Sequence, residues 1–195
     1  MADQGDIHDR YRAFALRDRL RLDDGTDPAN HVIWTRELPE GQNLAGSLAG
    51  TLRLGAEAIE VIDEWLTALA ADTTSDPVEV RLERARPDSA VDNCITGDGE
   101  RITGVDVYEP GGACAERYPV SADTRIVAGA PLANDIVKCR LQTVAEAIDA
   151  GVYSVELSAD DRARLEAIFP DGVCDYTRPG VGQGPVEGDW LSYPR

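Results

Sequence analysis

Long apolar runs are missing from this sequence. No stretch approaches the roughly 20 residues that a membrane-spanning helix requires, and residues 1–10 lack the apolar segment of a signal peptide. The chain is therefore expected to be soluble and to carry no export signal of its own. Lysine is almost missing too. Lys138 is the only one, so nearly all positive charge sits on arginine. Nineteen basic residues face 36 acidic ones, a net charge of −17. Such a charge repels nucleic-acid phosphates and anionic membrane surfaces, so neither is expected as a partner.

Several chemical signatures are absent as well. No Cys-x-x-Cys pair occurs, which removes the ligand spacing of common zinc sites and redox motifs. There is no Gly-x-x-x-x-Gly-Lys phosphate loop and no strand-anchored Gly-x-Gly-x-x-Gly. Asp171 and Asp175 lack the spacing of an EF-hand loop. No cofactor and no metal are expected. The nucleophile turn of a serine hydrolase, Gly-x-Ser-x-Gly, is also missing. Gly46-Ser47-Leu48-Ala49-Gly50 has the right letters in the wrong register, with no strand before it, and reads as loop.

Histidine, the usual base beside such a nucleophile, occurs only as His8 and His31. His8 lies just ahead of a helix, where the residues alone favour a solvated histidine over a catalytic one. His31 opens a strand-like run beside Asn30 and reads as structural. Asp23-Asp24, Asp160-Asp161 and Asp171 all have plain solubility, turn or capping roles.

What is present suits one domain, or a substantial part of a larger one: 195 residues, 43% of them hydrophobic. The four cysteines, Cys94, Cys114, Cys139 and Cys174, are even in number and far apart. They read as disulfides. Pairing Cys94 with Cys114 and Cys139 with Cys174 closes two moderate loops, although four cysteines permit three connectivities. Disulfides need an oxidising compartment. An exported chain with no address of its own is cut from a precursor, truncated as a gene, or carried out with a partner. The competing reading is four buried thiols in a reducing cytosol.

Along the chain, residues 9–22 place Tyr11, Phe14, Leu16 and Leu20 among arginines and aspartates, as an amphipathic helix does, with Asp9 as its cap. Residues 23–28 are a turn, 31–35 a short strand, and 39–50 a loop. A longer helix is predicted over 52–71, where Leu54, Ala58, Val61, Ile62, Trp65, Leu66 and Leu69 recur at helical spacing. Val78, Val80 and Leu82 alternate with charges like a half-buried strand. Residues 84–130 are rich in Gly, Pro and Asp, with β-like pieces such as 102–108. Residues 125–141 read as an extended strand interrupted by Pro131. Ser158-Ala159-Asp160-Asp161 opens a last helix with a capping-box pattern, stopped by Pro170-Asp171-Gly172. The tail over 177–195 holds Trp190 and Tyr193 and is expected to pack on the surface.

Several of these segments carry a family resemblance when taken together. They are Gly5-Asp6-Ile7-His8-Asp9-Arg10-Tyr11-Arg12-Ala13-Phe14 continuing to Arg17-Asp18-Arg19-Leu20, then Asn30-His31-Val32-Ile33-Trp34, then Ala90-Val91-Asp92-Asn93-Cys94. Downstream come residues 128–139, Ala128 to Cys139, and 168–176, Ile168 to Tyr176. In this order they resemble the C-terminal part of large bacterial proteins of unknown function that look like α/β hydrolases, distantly akin to tannases and feruloyl esterases. The resemblance covers nearly the whole chain. It implies an α/β fold: the C-terminal portion of a hydrolase core over 1–83, helices with few strands, followed over 84–195 by a loop-rich, disulfide-stabilised α+β layer.

The resemblance further implies that His8 is the base of a catalytic triad, because its Asp-Ile-His motif follows a late core strand in that family. Tannase-type enzymes carry a cysteine next to that histidine, whereas His8 is flanked by Ile7 and Asp9, so the likeness does not reach their substrate. The implied protein is a segment or subunit of an exported, extracellular or periplasmic acyl-ester hydrolase, inactive alone. Its partners are an N-terminal hydrolase portion, in the same precursor or a separate chain, and a small ester substrate. Such a fragment is expected to expose apolar surface around Phe14, Leu20, Val32, Ile33 and Trp65. The alternative is a non-catalytic exported binding or structural domain held by two disulfides.

Overall fold

A computed structural model describes residues 10–37, 44–120, 123–153 and 155–184. The chain forms two compact units, Met1–Ser121 and Ala122–Arg195. The compositional change at residue 84 falls inside the first unit, where strands on both sides of it pair in one sheet. The secondary structure is mixed α and β, in agreement with the class read from sequence.

In the first unit, α1 (Tyr11–Asp24) runs two residues past its expected end and stops at Gly25, whose left-handed backbone (φ 71°) lets its N–H bond the Arg21 carbonyl at 2.9 Å. The expected cap, Asp9, lies outside the described residues. A three-residue strand, β1 (Trp34–Arg36), follows. Next comes the dominant element, α2 (Leu44–Ala71), 28 residues long. It begins inside the segment expected to be loop, so Gly46 to Gly50 are helical. Gly46 and Gly50 each cost a helix about 1 kcal/mol, which the longer apolar stripe beyond them offsets.

The expected strand at Val78 is instead a helix, α3 (Val78–Ala85). Val78 and Leu82 are four apart and share a helix face as readily as a strand face. Contacts with the end of α2 decide between the two. Arg84 bonds Asp72 (Nη2–Oδ2 2.7 Å), and the Trp65 indole donates to the Leu82 carbonyl at 2.9 Å. The Thr74 hydroxyl and N–H, followed by Arg84, hold the Asp72 carboxyl well below the ordinary carboxylate range.

β2 (Asn93–Ile95) pairs parallel with β1 and antiparallel with β3 (Arg101–Thr103), giving the order β1-β2-β3. The connection from β1 through α2 and α3 to β2 is thus a parallel β-α-β crossover. A short helix, α4 (Ala113–Arg117), carries Cys114, whose disulfide to Cys94 joins it to β2 with Cα atoms 5.9 Å apart. Both cysteines are fully buried, with Val107 and Tyr118 around them.

In the second unit, the stretch expected to be an extended strand breaks into α5 (Thr124–Val127), a turn, and β4 (Arg140–Gln142). The cause is local. The Asp123 carboxylate accepts the N–H groups of Arg125 and Ile126 and so caps a helical turn, Gly129 ends it at φ 96°, and Asn134 turns the chain at φ 48°. α6 (Val144–Asp149) and α7 (Ala159–Ile168) each open with a capping box, Thr143 with Glu146 and Ser158 with Asp161. The second box was legible in the sequence. β5 (Val173–Asp175) pairs antiparallel with β4, and the Cys139–Cys174 disulfide ties that strand pair (Cα–Cα 5.4 Å). Both disulfides have the connectivity preferred from loop length. Trp190 and Tyr193 lie outside the described residues.

Candidate functional site

His8, the residue expected to be the base, lies outside the described residues. His31 is described, and it sits where three segments of the first unit meet. Arg17, near the middle of α1, grips Asp92 with two parallel bonds, Nη1–Oδ2 at 2.5 Å and Nη2–Oδ1 at 2.8 Å. The same Asp92 accepts the Ile33 backbone N–H at 2.8 Å, and a further Arg17 donor, Nε, reaches His31 Nδ1 at 3.2 Å. The paired side chains are only 12% and 9% exposed. Each of the three residues lies in a segment that carried the family resemblance, yet nothing in the sequence linked them, since Arg17 and Asp92 are 75 residues apart.

This geometry sets the protonation of His31. A guanidinium N–H can only donate, so Nδ1 must present its lone pair and the ring proton sits on Nε2. Burial, followed by the neighbouring Arg17 charge, pushes the His31 pKa below its ordinary value, while Asp92 opposes the shift. At neutral pH His31 is a neutral hydrogen-bond donor. A triad base needs the reverse arrangement, with Nδ1–H held by a carboxylate and Nε2 free to take a proton. The structural role read for His31 therefore has a chemical reason.

His31 also lines two adjoining clefts. One, of about 390 Å³, is polar and contains Arg17, Arg21, Asp27, Arg86, Asp92 and Glu109. There Arg21 pairs with Asp27 and with Glu109 (3.2 Å), and the first bond holds the Asp27 carboxyl below its usual range. The other cleft, of about 440 Å³, is apolar and runs between α2 and residues 30–34, walled by Val32, Trp34, Leu54, Ala58, Val61 and Trp65. Together they can hold a small molecule with an apolar body and a hydrogen-bond acceptor. Among the described residues, neither cleft is lined by a serine or a cysteine.

A second polar cluster lies near the start of α1. Arg10 donates to the Tyr118 carbonyl at 3.3 Å, and the Tyr118 hydroxyl donates to Glu37 at 2.8 Å. That bond and the Gly97 N–H hold the Glu37 carboxyl below its ordinary pKa. Tyr108 bridges Thr35 (2.7 Å) and the Asn93 carbonyl (2.5 Å), and burial pushes its hydroxyl up to about 12.

Ser47 is part of α2, not of a strand-to-helix turn, so its backbone setting is not that of an exposed nucleophile. Among the described residues, no group of three or more His, Cys, Asp or Glu is placed to hold a metal ion, and no helix is long and apolar enough to cross a membrane.

No curated protein and no solved structure matches the chain. A family model does match, over residues 1–185, and it describes a tannase-like family of unknown function (DUF6351). Because that match spans nearly the whole sequence, the chain belongs to this tannase-like family.

Proposed function

We propose that this chain is the C-terminal segment of an exported acyl-ester hydrolase of the α/β-hydrolase type, supplying the catalytic base as His8 while the nucleophilic serine and the acid come from another segment, linked or separate. The observation that carries this reading is the state of His31. With its Nδ1 occupied by Arg17 and its proton on Nε2, His31 is unsuited to the base role, and His8 is the other histidine in the sequence. Membership of a tannase-like family supports the reaction class. The two disulfides are compatible with an extracellular or periplasmic setting.

In the proposed mechanism His8 takes the proton of the serine hydroxyl as it attacks the ester carbonyl, then returns it to the leaving alkoxide. Arg10, two residues along, anchors the start of α1 on the Tyr118 carbonyl. The test is reconstitution of the chain with the polypeptide encoded directly ahead of it, assayed on short acyl esters. Turnover that needs both pieces and disappears in His8→Ala supports the reading, and turnover retained in His8→Ala removes His8 from its role.

A further inference from the structure

Trp34 and Trp65 line the same cleft, and both indoles are fixed in place. The Trp34 N–H donates to the Val91 carbonyl at 2.8 Å, and the Arg101 guanidinium lies over its ring, 4.9 Å from the centroid. Arg101 is itself tied to Glu57 by two bonds, at 2.7 and 2.8 Å. Trp65 repeats the pattern. Its N–H donates to the Leu82 carbonyl at 2.9 Å, and Arg86, bonded to the Ala90 carbonyl at 2.7 Å, lies 5.6 Å from its ring centroid. Rings tied in this way lose little freedom when a ligand packs against them, which favours binding. The cleft they line, about 440 Å³, falls within the roughly 300–1,000 Å³ of small-molecule sites.

The chemistry of the lining selects the ligand. Among the described residues, no charged side chain lines this cleft. An ionised group placed there would give up its water without gaining a counter-charge. The adjoining polar cleft offers an anion nothing better, since six carboxylates there face three guanidinium groups. Two of those three, Arg17 and Arg21, are already paired with Asp92 and with Asp27 and Glu109.

Among the described residues, His31 alone lines both clefts. Its Nδ1 is turned to Arg17, which lines only the polar one. That leaves the Nε2–H, and no acceptor among the described residues takes it. Asn30 and Thr51 also line the apolar cleft, but both are exposed. The half-buried, uncharged donor of His31 is matched by a carbonyl oxygen.

We propose that the cleft between α2 and residues 30–34 is a binding site for an uncharged small molecule. A compact hydrocarbon body lies against Trp34 and Trp65, and a carbonyl oxygen at one end accepts the His31 Nε2–H. Every group this site uses is in the present chain, so the proposal goes beyond the hydrolase reading and does not rest on it.

The test uses three probes with one ring system: acetylnaphthalene, ethylnaphthalene, which lacks the acceptor, and naphthoate, which carries a charge. Each is titrated into the purified chain and followed by NMR at the indole N–H signals of Trp34 and Trp65 and at the His31 ring. The ketone is expected to give saturable shifts at all three residues, and naphthoate to bind at least about tenfold more weakly. In His31→Phe the ketone is expected to lose roughly three- to tenfold in affinity, the worth of one neutral hydrogen bond, while the hydrocarbon changes by no more than about twofold. Ala58→Phe fills the cleft and is expected to abolish binding of both. Unchanged thermal melting verifies that each variant folds.

Shifts confined to other residues, or no saturable shift up to the solubility of the ketone, overturn the site. Naphthoate binding as tightly as the ketone overturns the uncharged class, and a ketone affinity that ignores His31→Phe overturns the anchor. Ester turnover enters none of these outcomes, so the hydrolase reading stands or falls separately.

Discussion

Arg17 and Asp92 face each other through two parallel N–H···O bonds in a nearly water-free setting, and a third guanidinium donor, on Nε, is spent on His31. Asp92 is the hinge of this arrangement, because it also holds the Ile33 N–H at the entry to β1. Replacing it strands a buried cation. Asp92→Ala is expected to destabilise the chain by about 3–5 kcal/mol, measured by urea unfolding. Arg17→Lys keeps the charge but loses the two-point geometry and the bond to Nδ1, so it is expected to be destabilising as well.

His31 gives a prediction with a definite sign. Its pKa is lower in the folded chain than its ordinary value of 6.5, so below pH 6.5 the unfolded chain binds a proton that the folded chain refuses. The stability tied to the neutral ring is complete above that pH and drains away as pH falls toward the folded pKa. NMR titration of the histidine ring signals, assigned with His8→Ala, is expected to show His31 titrating below 6.5. His31→Gln should flatten the pH dependence of stability in the same window.

The two disulfides are set apart by burial. Cys94 and Cys114 are at 0% exposure, whereas Cys139 and Cys174 are only half-buried. Under mild reductant the second bridge is expected to open first in the native chain, and the first only on unfolding, read by alkylation and mass spectrometry. Cys139→Ser paired with Cys174→Ser removes a closed loop of separation 35 and is expected to cost about 3–4 kcal/mol by chain entropy.

Two glycines respond to alanine with opposite signs. At Gly50, inside α2, an added Cβ would fall 1.5 Å from Arg36 Nη1, a flexible group that is itself buried without a hydrogen-bond partner among the described residues. Swinging it into water removes that defect, so Gly50→Ala is expected to stabilise the helix by about 0.5–1 kcal/mol. At Gly172, φ is 102° and an added Cβ would lie 2.3 Å from the Gln142 carbonyl oxygen, which β4 holds in place. Gly172→Ala is expected to lose about 2 kcal/mol or more. Thermal melts of the two variants make the comparison.

The parts of this fold that could be read from sequence are those set by neighbours along the chain. The periodicity of α1 and most of α2, the capping box at Ser158 and the stop at Pro170 are all local signals. Disulfide pairing also followed loop length. Val78, Val80 and Leu82 were misread because five residues with apolar side chains at alternate positions fit either period, and the contacts of Trp65 on α2 and of Asp72 just after it select the helix. Residues 125–141 were misread because the Asp123 cap outweighs the β-branched side chains that follow it.

The surface expectation was right in kind and wrong in place. Ile33 and Trp65 are buried at 3% and 9%, and Phe14 packs edge-on against Tyr108 at 5.1 Å. Exposed apolar residues instead include Leu48, Leu52, Ile59, Ile62 and Leu66 of α2, a distinction that depends on where Leu82 and Trp34 sit in space. The Arg17, His31 and Asp92 cluster was illegible for the same reason, since its members meet only after folding. His8 lies outside the described residues, so its role rests on sequence, on family membership and on the state of His31.

One assay bears on the whole account most directly: ester turnover by the purified chain alone and after addition of the polypeptide encoded ahead of it. No turnover alone, and activity on mixing that His8→Ala abolishes and His31→Gln preserves, is the predicted result. Hydrolysis by the unaccompanied chain, or by the mixture carrying His8→Ala, contradicts it.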